Sequence, residues 1–360
     1  MRLGKAKTFH LDGWGVNEAL KGLLDRGASS DLLSEAWVQN HFGLIVWKLA
    51  CYCRSWPDRF TLDNSFTPIT VLNQLCYRYE REINRAERPA LRKIVEGDES
   101  ASRHMVLCIA AIDDATPPSI KVTDGWYVIS ATLDVHLMKA VQRGRLVVGT
   151  KLHVCQASLH GAENGGVAIL EQPDAVSIAL HGNNTRLARW DEKMGFQRTP
   201  IQWTSRIRNI LPDGGIVPGL DVVLLRKYPV VYMEKFENDI KIRRSGREEL
   251  RAQEAHRSKM EKRHEEIVQE VEKALMPGGH EEMVDRSEME QEISARTSEM
   301  VAQMQRNVQA MFSIRVGNCR DDDSNHQEAL ITFWNADLPD LQEGQRIRAS
   351  NFATRTTNIL

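Results

Sequence analysis

Residues 247–276 read REELRAQEAHRSKMEKRHEEIVQEVEKALM, a charged run without Gly or Pro that Pro277-Gly278-Gly279 then stops. A second charged helical run follows to about Met311 and leads directly into the alternating strand Phe312-Ser313-Ile314-Arg315-Val316. Short strand patterns flank the pair on both sides, so the two helices interrupt β-structure and read as a hairpin growing out of a small sheet or barrel. Each arm of thirty residues would reach about 45 Å. Met289, Ile293, Met300, Met304 and Met311 make a narrow apolar seam on the second arm. Leu250, Met260, Ile267, Val271 and Ala274 make its counterpart on the first, so the arms zip as an antiparallel pair with their other faces wet.

Upstream, residues 1–103 carry helix periodicity. Leu33, Trp37, Asn40, Leu44, Trp47 and Cys51 recur on one face until Trp56-Pro57 ends the pattern. Thr67-Pro68 supplies an N-cap and first-turn pair for a helix carrying Val71, Leu72, Leu75, Tyr79 and Ile83. A further short helix starts near Pro89. The period changes at His104: Met105-Val106-Leu107-Cys108-Ile109 is a buried strand, and strand patterns follow at 126–133, 151–159 and 176–180, with a helical piece at 137–142. That series suits a Greek-key barrel of the oligonucleotide/oligosaccharide-binding (OB) type. A second strand series occupies 221–226, 230–236, 240–242, 312–316, 329–334 and 346–352. The fold class is therefore α+β and multidomain: a helical domain over 1–103, a first OB fold over 104–210, and a second over 211–360 that carries the antiparallel hairpin 247–311.

Length allows two or three domains, and the 42% hydrophobic fraction is that of an ordinary globular chain. No apolar run approaches a membrane span, and nothing after Met1-Arg2-Leu3-Gly4-Lys5 reads as a signal peptide. The six cysteines are scattered and read as reduced thiols. Net charge is −2, but 1–103 hold 15 Lys/Arg against 13 Asp/Glu while 281–311 hold 3 against 7. Any nucleic-acid contact is then a local groove, not a basic surface. Catalytic motifs are lacking: Gly13-Trp14-Gly15 has no strand-turn-helix context, His153 and His160 want a third ligand, and Asp321-Asp322-Asp323 reads as a solvated loop. The reading is of a non-enzyme without cofactor or metal.

The order of motifs resembles the breast cancer type 2 susceptibility protein family. Glu35-Ala36-Trp37-Val38-Gln39-Asn40-His41-Phe42, Val46-Trp47-Lys48-Leu49-Ala50 and 74–83 look like its helical domain. Thr123-Asp124-Gly125-Trp126-Tyr127, 144–149, Asn184-Thr185-Arg186-Leu187-Ala188-Arg189-Trp190 and Lys193-Met194-Gly195-Phe196 look like its first OB fold. Asp213-Gly214-Gly215, Tyr228-Pro229 and Met233-Glu234-Lys235 look like the opening of its second OB fold, whose inserted "tower" the hairpin resembles. The resemblance implies a nuclear, single-strand-binding mediator of homologous recombination that helps load a RecA-like recombinase. It also implies a small acidic peptide partner on the helical domain and first OB fold. The hairpin is too short for a three-helix tower tip. No third OB fold follows and no recombinase-binding repeats precede the helical domain, so recombinase contact would need segments outside this chain.

In OB folds a single strand crosses the sheet, its phosphates on cations and its bases on aromatics. The second barrel offers Arg226, Lys227, Tyr228, Tyr232, Phe236, Lys241, Arg243, Arg244, Phe333, Trp334, Arg346 and Arg348. Strand alternation sends about half of them inward. Arg346 and Arg348 share a face and are the preferred contacts, and one of Phe333 and Trp334 is core. The residues selected as DNA contacts are Arg226, Lys227, Tyr228, Lys241, Arg243, Arg244, Trp334, Arg346 and Arg348. For the acidic partner they are Trp37, Trp47, Trp56, Arg78, Arg81, Arg85 and Trp126, with Arg88, Arg92 and Lys93 beside them. Phe333-Trp334-Asn335-Ala336 has the spacing of a recombinase-binding motif, but a strand position excludes that use. The competing reading is a scaffold that binds the acidic partner and displays the hairpin, with little DNA affinity of its own.

Overall fold

The computed structural model describes residues 1–113, 119–162, 165–171, 175–198, 205–236, 240–275, 286–319, 327–335 and 340–354. Residues 277–279 and 321–323 lie outside that set. The chain divides into two units, Met1–Leu220 with the stretch from Arg348 on, and Asp221–Ile347.

The first unit begins with helices α1 (Leu3–Ala6), α2 (Val16–Asp25), α3 (Glu35–Ser55), α4 (Leu62–Ser65), α5 (Pro68–Tyr79) and α6 (Ala90–Val95). The Ser34 hydroxyl accepts the Trp37 amide at the start of α3, and Thr67 caps α5 ahead of Pro68. Cys51 does not continue the buried stripe of α3; it is exposed, whereas the middle of the helix is buried almost all round. Gly43 lets α1 approach closely, since a Cβ there would meet the Lys7 side chain at 2.6 Å. The end of α5 widens into a π-helical turn, Glu80–Asn84, which aims Glu82 inward at 3% exposure.

A β-rich part follows with strands β1 (Met105–Asp113), β2 (Ser119–Thr123) and β3 (Val128–Leu133), helix α7 (Val135–Gln142), then β4 (Lys151–Val154), β5 (Ser158–His160), β6 (Ser177–Leu180), β7 (Thr185–Leu187) and β8 (Gly195–Phe196). The sheet runs β5-β6-β3-β2-β1-β4-β7, with β8 on β1 and β6 parallel to β3. The 151–159 pattern is two strands, because Gln156 turns at positive φ between them. The β5 end of the ladder is thus joined to β4 by the chain itself. Strand β1 is buried on both faces: Met105, Leu107 and Ile109 enter the core of the sheet, while Cys108 and Ala110 pack into the core of the helices. That double burial explains why β1 is a continuous apolar run. Two short strands, β9 (Ile216–Val217) and β16 (Phe352–Ala353), pair in this unit.

The second unit holds β10 (Leu220–Lys227), β11 (Val231–Lys235), β12 (Lys241–Ser245), helices α8 (Gly246–Leu275) and α9 (Arg286–Gln303), β13 (Val308–Asn318), β14 (Glu328–Trp334) and β15 (Arg346–Ala349). The sheet order is β12-β11-β13-β10-β15, with β14 on the far side of β13. The helices therefore leave the sheet after β12 and return to it at β13. They run antiparallel, with His264 against Thr297 and Glu249 against Arg306, around a seam of Ile267, Val271 and Met300. Phe312, Ile314, Val316, Val222, Leu224 and Ile331 form the buried face of this sheet.

Candidate nucleic-acid interface

The register of the second sheet sorts the selected residues by face. Met311 pairs with Val231 and Trp334, Arg315 with Arg226 and Leu330, Gln309 with Met233, and Met233 with Arg243. A bulge at Leu225 sets Arg226 opposite Arg315, and Lys241 lies two residues from Arg243. Arg226, Lys241, Arg243 and Trp334 thus project from one face, opposite the buried Phe312–Ile314–Val316 row. All four are exposed, and the Arg226 guanidinium lies 5.4 Å from the centre of the Tyr228 ring. Phe333 turns the other way and stacks on Phe312 at 4.8 Å, leaving Trp334 48% exposed.

Four selected cations are placed otherwise. Lys227 pairs with Ile314 on the inner face. Arg244 also lies on the inner face, ion-paired with the buried Glu234. That carboxylate takes two guanidinia, because Arg306 also bonds it at 2.6 and 3.1 Å and reaches Glu249 at 2.9 and 3.0 Å. Hydrogen bonds from Arg306, against the cost of burial, hold Glu234 down to about 2. This cluster roots the hairpin in the sheet and commits Arg244 to it. Arg346 is bidentate to Asp221 at 2.8 and 2.5 Å, so this preferred contact already holds a carboxylate. Arg348 is exposed on β15 and groups with the first unit.

In the first unit Trp37, Trp47 and Arg78 are buried, at 3%, 9% and 6% exposure, and Trp47 and Arg78 contribute to the wall of a groove and not to open surface. The Trp37 indole N–H donates to Glu82 at 3.0 Å, as do Tyr127 at 2.5 Å and Arg92 at 2.8 Å. Burial works against ionisation of Glu82, but contact with His41 and these donors wins and holds it down to about 2. Arg78 donates to His41 Nδ1 at 2.8 Å and to the Gly125 carbonyl at 2.9 Å, and covers the Trp126 ring at 5.0 Å. His41 is neutral, driven down to about 4 by burial, and its Nε2 lies 3.2 Å from Glu82. The Asp124 carboxylate accepts the amides of Leu91, Trp126 and Tyr127 at 2.9 Å each, around a turn that needs Gly125 at positive φ. These groups lock the helices onto the first sheet. Arg81 and Arg85 are surface residues paired with Glu87 and Glu80, and Trp126 is half-buried.

Trp56 alone of the partner tryptophans is well exposed, at 38%. It stands 5.2 Å from Trp190, which is 70% exposed and which the partner reading missed. The signal was present, since Trp190 sits in the polar run Arg189-Trp190-Asp191-Glu192-Lys193 with no apolar neighbour to bury it. Both rings border a groove of about 690 Å³ lined also by Tyr52, Lys48 and Lys151. Burial, helped by Arg78, lowers the Lys48 ammonium to about 8. Among the described residues no set of three or more His, Cys, Asp or Glu side chains could hold a metal ion.

Residues 12–86 match the family model described as BRCA2, helical, and residues 89–198 match BRCA2, oligonucleotide/oligosaccharide-binding, domain 1. Over 258 residues, 67% of this chain, the sequence is 36% identical to Protein BREAST CANCER SUSCEPTIBILITY 2 homolog A of Arabidopsis thaliana. Over 261 residues it is 36% identical to homolog B of the same plant. The matched part spans 22% of the length of each relative. A helical region followed by a β-rich OB-like domain is what both the models and the fold describe. From residue 12 to residue 198 this chain is thus similar, in order, to the helical and first oligonucleotide-binding domains of BRCA2.

Proposed function

We propose that the chain binds single-stranded DNA as part of a nuclear mediator of homologous recombination that assists a RecA-like recombinase in double-strand break repair. The observation that carries this reading is the shared open face of Arg226, Lys241, Arg243 and Trp334 on the second sheet. Cations for a backbone stand there beside an aromatic ring for a base. We take this sheet as a second OB fold and the α8–α9 insertion as a shortened tower. The similarity to BRCA2 homologues supports the repair context.

The Trp56–Trp190 groove, with Lys48 and Lys151 at its walls, supports the acidic partner peptide of the first unit. The scaffold alternative draws on a specific observation, that Arg244 and Arg346 are occupied by carboxylates and leave a smaller cationic face. Fluorescence anisotropy with labelled oligo-dT separates the two readings. The double variant Arg243→Ala, Trp334→Ala weakens binding at least tenfold if the face holds the strand, given about 1–3 kcal/mol for one stacked base. Wild-type affinity in that variant, or no affinity in the parent, leaves the scaffold reading standing.

A further inference from the structure

Strand β12 is the outer strand of the second sheet, and among the described residues nothing pairs with its free side. The Phe236 amide donates to the Ile240 carbonyl at 3.0 Å, and antiparallel alternation from that pair turns the main-chain groups of Ile242 and Arg244 toward β11. The N–H and C=O groups of Lys241 and Arg243 therefore point outward, while Glu248 accepts the Ser245 amide at 2.8 Å and closes the strand there.

The side chains along this edge alternate in kind. Lys241 and Arg243 are exposed on one face, and Ile242, 40% exposed, lies on the other. Phe236 and Ile240 beside it are 40% and 56% exposed. Cations alone on an edge strand would serve to repel other strands. An edge that also leaves three apolar side chains in water is poorly protected and gains from being covered.

We propose that β12 is a docking edge for an extended acidic peptide of a protein partner, added as an antiparallel strand in which acidic and apolar residues alternate. The peptide's acidic side chains stand over Lys241 and Arg243, and its apolar side chains cover Ile242 and its neighbours. The main-chain groups of Lys241 and Arg243 set the strand direction and register. The acidic residues, lying directly opposite these two, turn their own amides toward β12, and the apolar residues turn theirs away. The occupant is a peptide and not a nucleic-acid backbone because the edge supplies paired N–H donors and C=O acceptors, and a phosphodiester has no donor for the latter. This site is separate from the Trp56–Trp190 groove and does not depend on DNA binding by the sheet face.

The test uses the full chain and an end-blocked heptapeptide alternating glutamate and valine, followed by fluorescence anisotropy. Methylating the glutamate amides weakens binding at least tenfold, about 1.4 kcal/mol or more, whereas methylating the valine amides leaves it within a factor of about two. Ile242→Ser lowers affinity several-fold, and a scrambled peptide that groups its glutamates binds more weakly than the alternating one. Equal binding of the two methylated peptides, or no binding at millimolar peptide, overturns the proposal. Complete displacement by oligo-dT together with indifference to methylation would mark the edge as an anion site only.

Discussion

The Tyr127 hydroxyl donates to Glu82 at 2.5 Å, tying the first strands of the β-rich part to the π-helical end of α5. Three elements send donors to that one carboxylate: Trp37 from α3, Arg92 from α6 and Tyr127 from the segment before β3. Removing its charge breaks a buried ion pair while leaving Arg92 and Arg78 in place. Glu82→Gln should therefore destabilise the first unit by about 3–5 kcal/mol. Tyr127→Phe, which removes one donor to a charged acceptor, should cost about 1.5–3 kcal/mol. Tryptophan fluorescence in denaturant reads both, and a midpoint shift larger for Tyr127→Phe than for Glu82→Gln would contradict the assignment of Glu82 as the hub.

The same cluster sets an acid limit. The folded pKa of His41 is depressed from 6.5 to about 4, so between those values the unfolded chain binds the extra proton and stability falls as pH falls. Glu82 is also depressed, from 4.5 to about 2; its contribution is present above about 4.5 and is lost below. Both slopes have the same sign, so the first unit weakens from pH 6.5 downward, more steeply near 4.5. His41→Gln removes a titrating group and should flatten the curve between pH 6.5 and 4.5 while leaving the lower limb. A parallel shift of the whole curve, without that flattening, would rule His41 out as its cause.

Periodicity located α3, α5, α6, α7, both hairpin helices and most strands, but not α1, α2 or α4, because apolar spacing is a local property that needs several turns to show. Burial from several sides is not. The α3 stripe through Trp37, Leu44 and Trp47 was readable, but Val38, Phe42 and Ile45 between its members are buried as well, since other helices and β1 both pack on that helix. Arg78, Arg81 and Arg85 look like one basic face in sequence. Only the fold shows Arg78 turned inward onto His41 and Trp126 while the other two meet surface glutamates. Strand β2 was missed because its five residues include two exposed positions around Ile120 and leave only a short apolar signal. On the second sheet alternation separated Phe333 from Trp334 correctly. It could not reveal that Asp221 would claim Arg346, a pairing between residues 125 positions apart.

At the base of the hairpin, Arg306 spans Glu234 on β11 and Glu249 on α8, both nearly inaccessible to water. Among the described residues Arg306→Ala leaves Glu249 with Arg244 alone, at 3.6 Å, and should loosen the root by about 3 kcal/mol. Hydrogen exchange followed by mass spectrometry should then show faster exchange at the sheet-proximal ends of α8 and α9. Exchange in the β10–β13 pairing, which rests on Val222, Leu224, Ile314 and Val316, should stay slow. Uniform acceleration across the sheet would mean that the cluster supports the whole unit and not the hairpin root.

Arg243 and Arg244 are neighbours in sequence that the pleat sends to opposite faces, and this separates a nucleic-acid role from a structural one. Arg243 is exposed beside Lys241 and is free to meet a phosphate, whereas Arg244 is held between Glu234 and Glu249. Each phosphate contact to a single strand contributes about 0.7 to the slope of log affinity against log salt. Arg243→Ala should therefore lower the oligo-dT salt slope by about that amount, with little change in thermal stability. Arg244→Ala should leave the slope unchanged and instead lower the melting temperature, because Glu234 loses one of its two guanidinium partners. Measuring both variants at several salt concentrations decides the matter: a slope that falls for Arg244→Ala and not for Arg243→Ala would put the strand on the other face of the sheet.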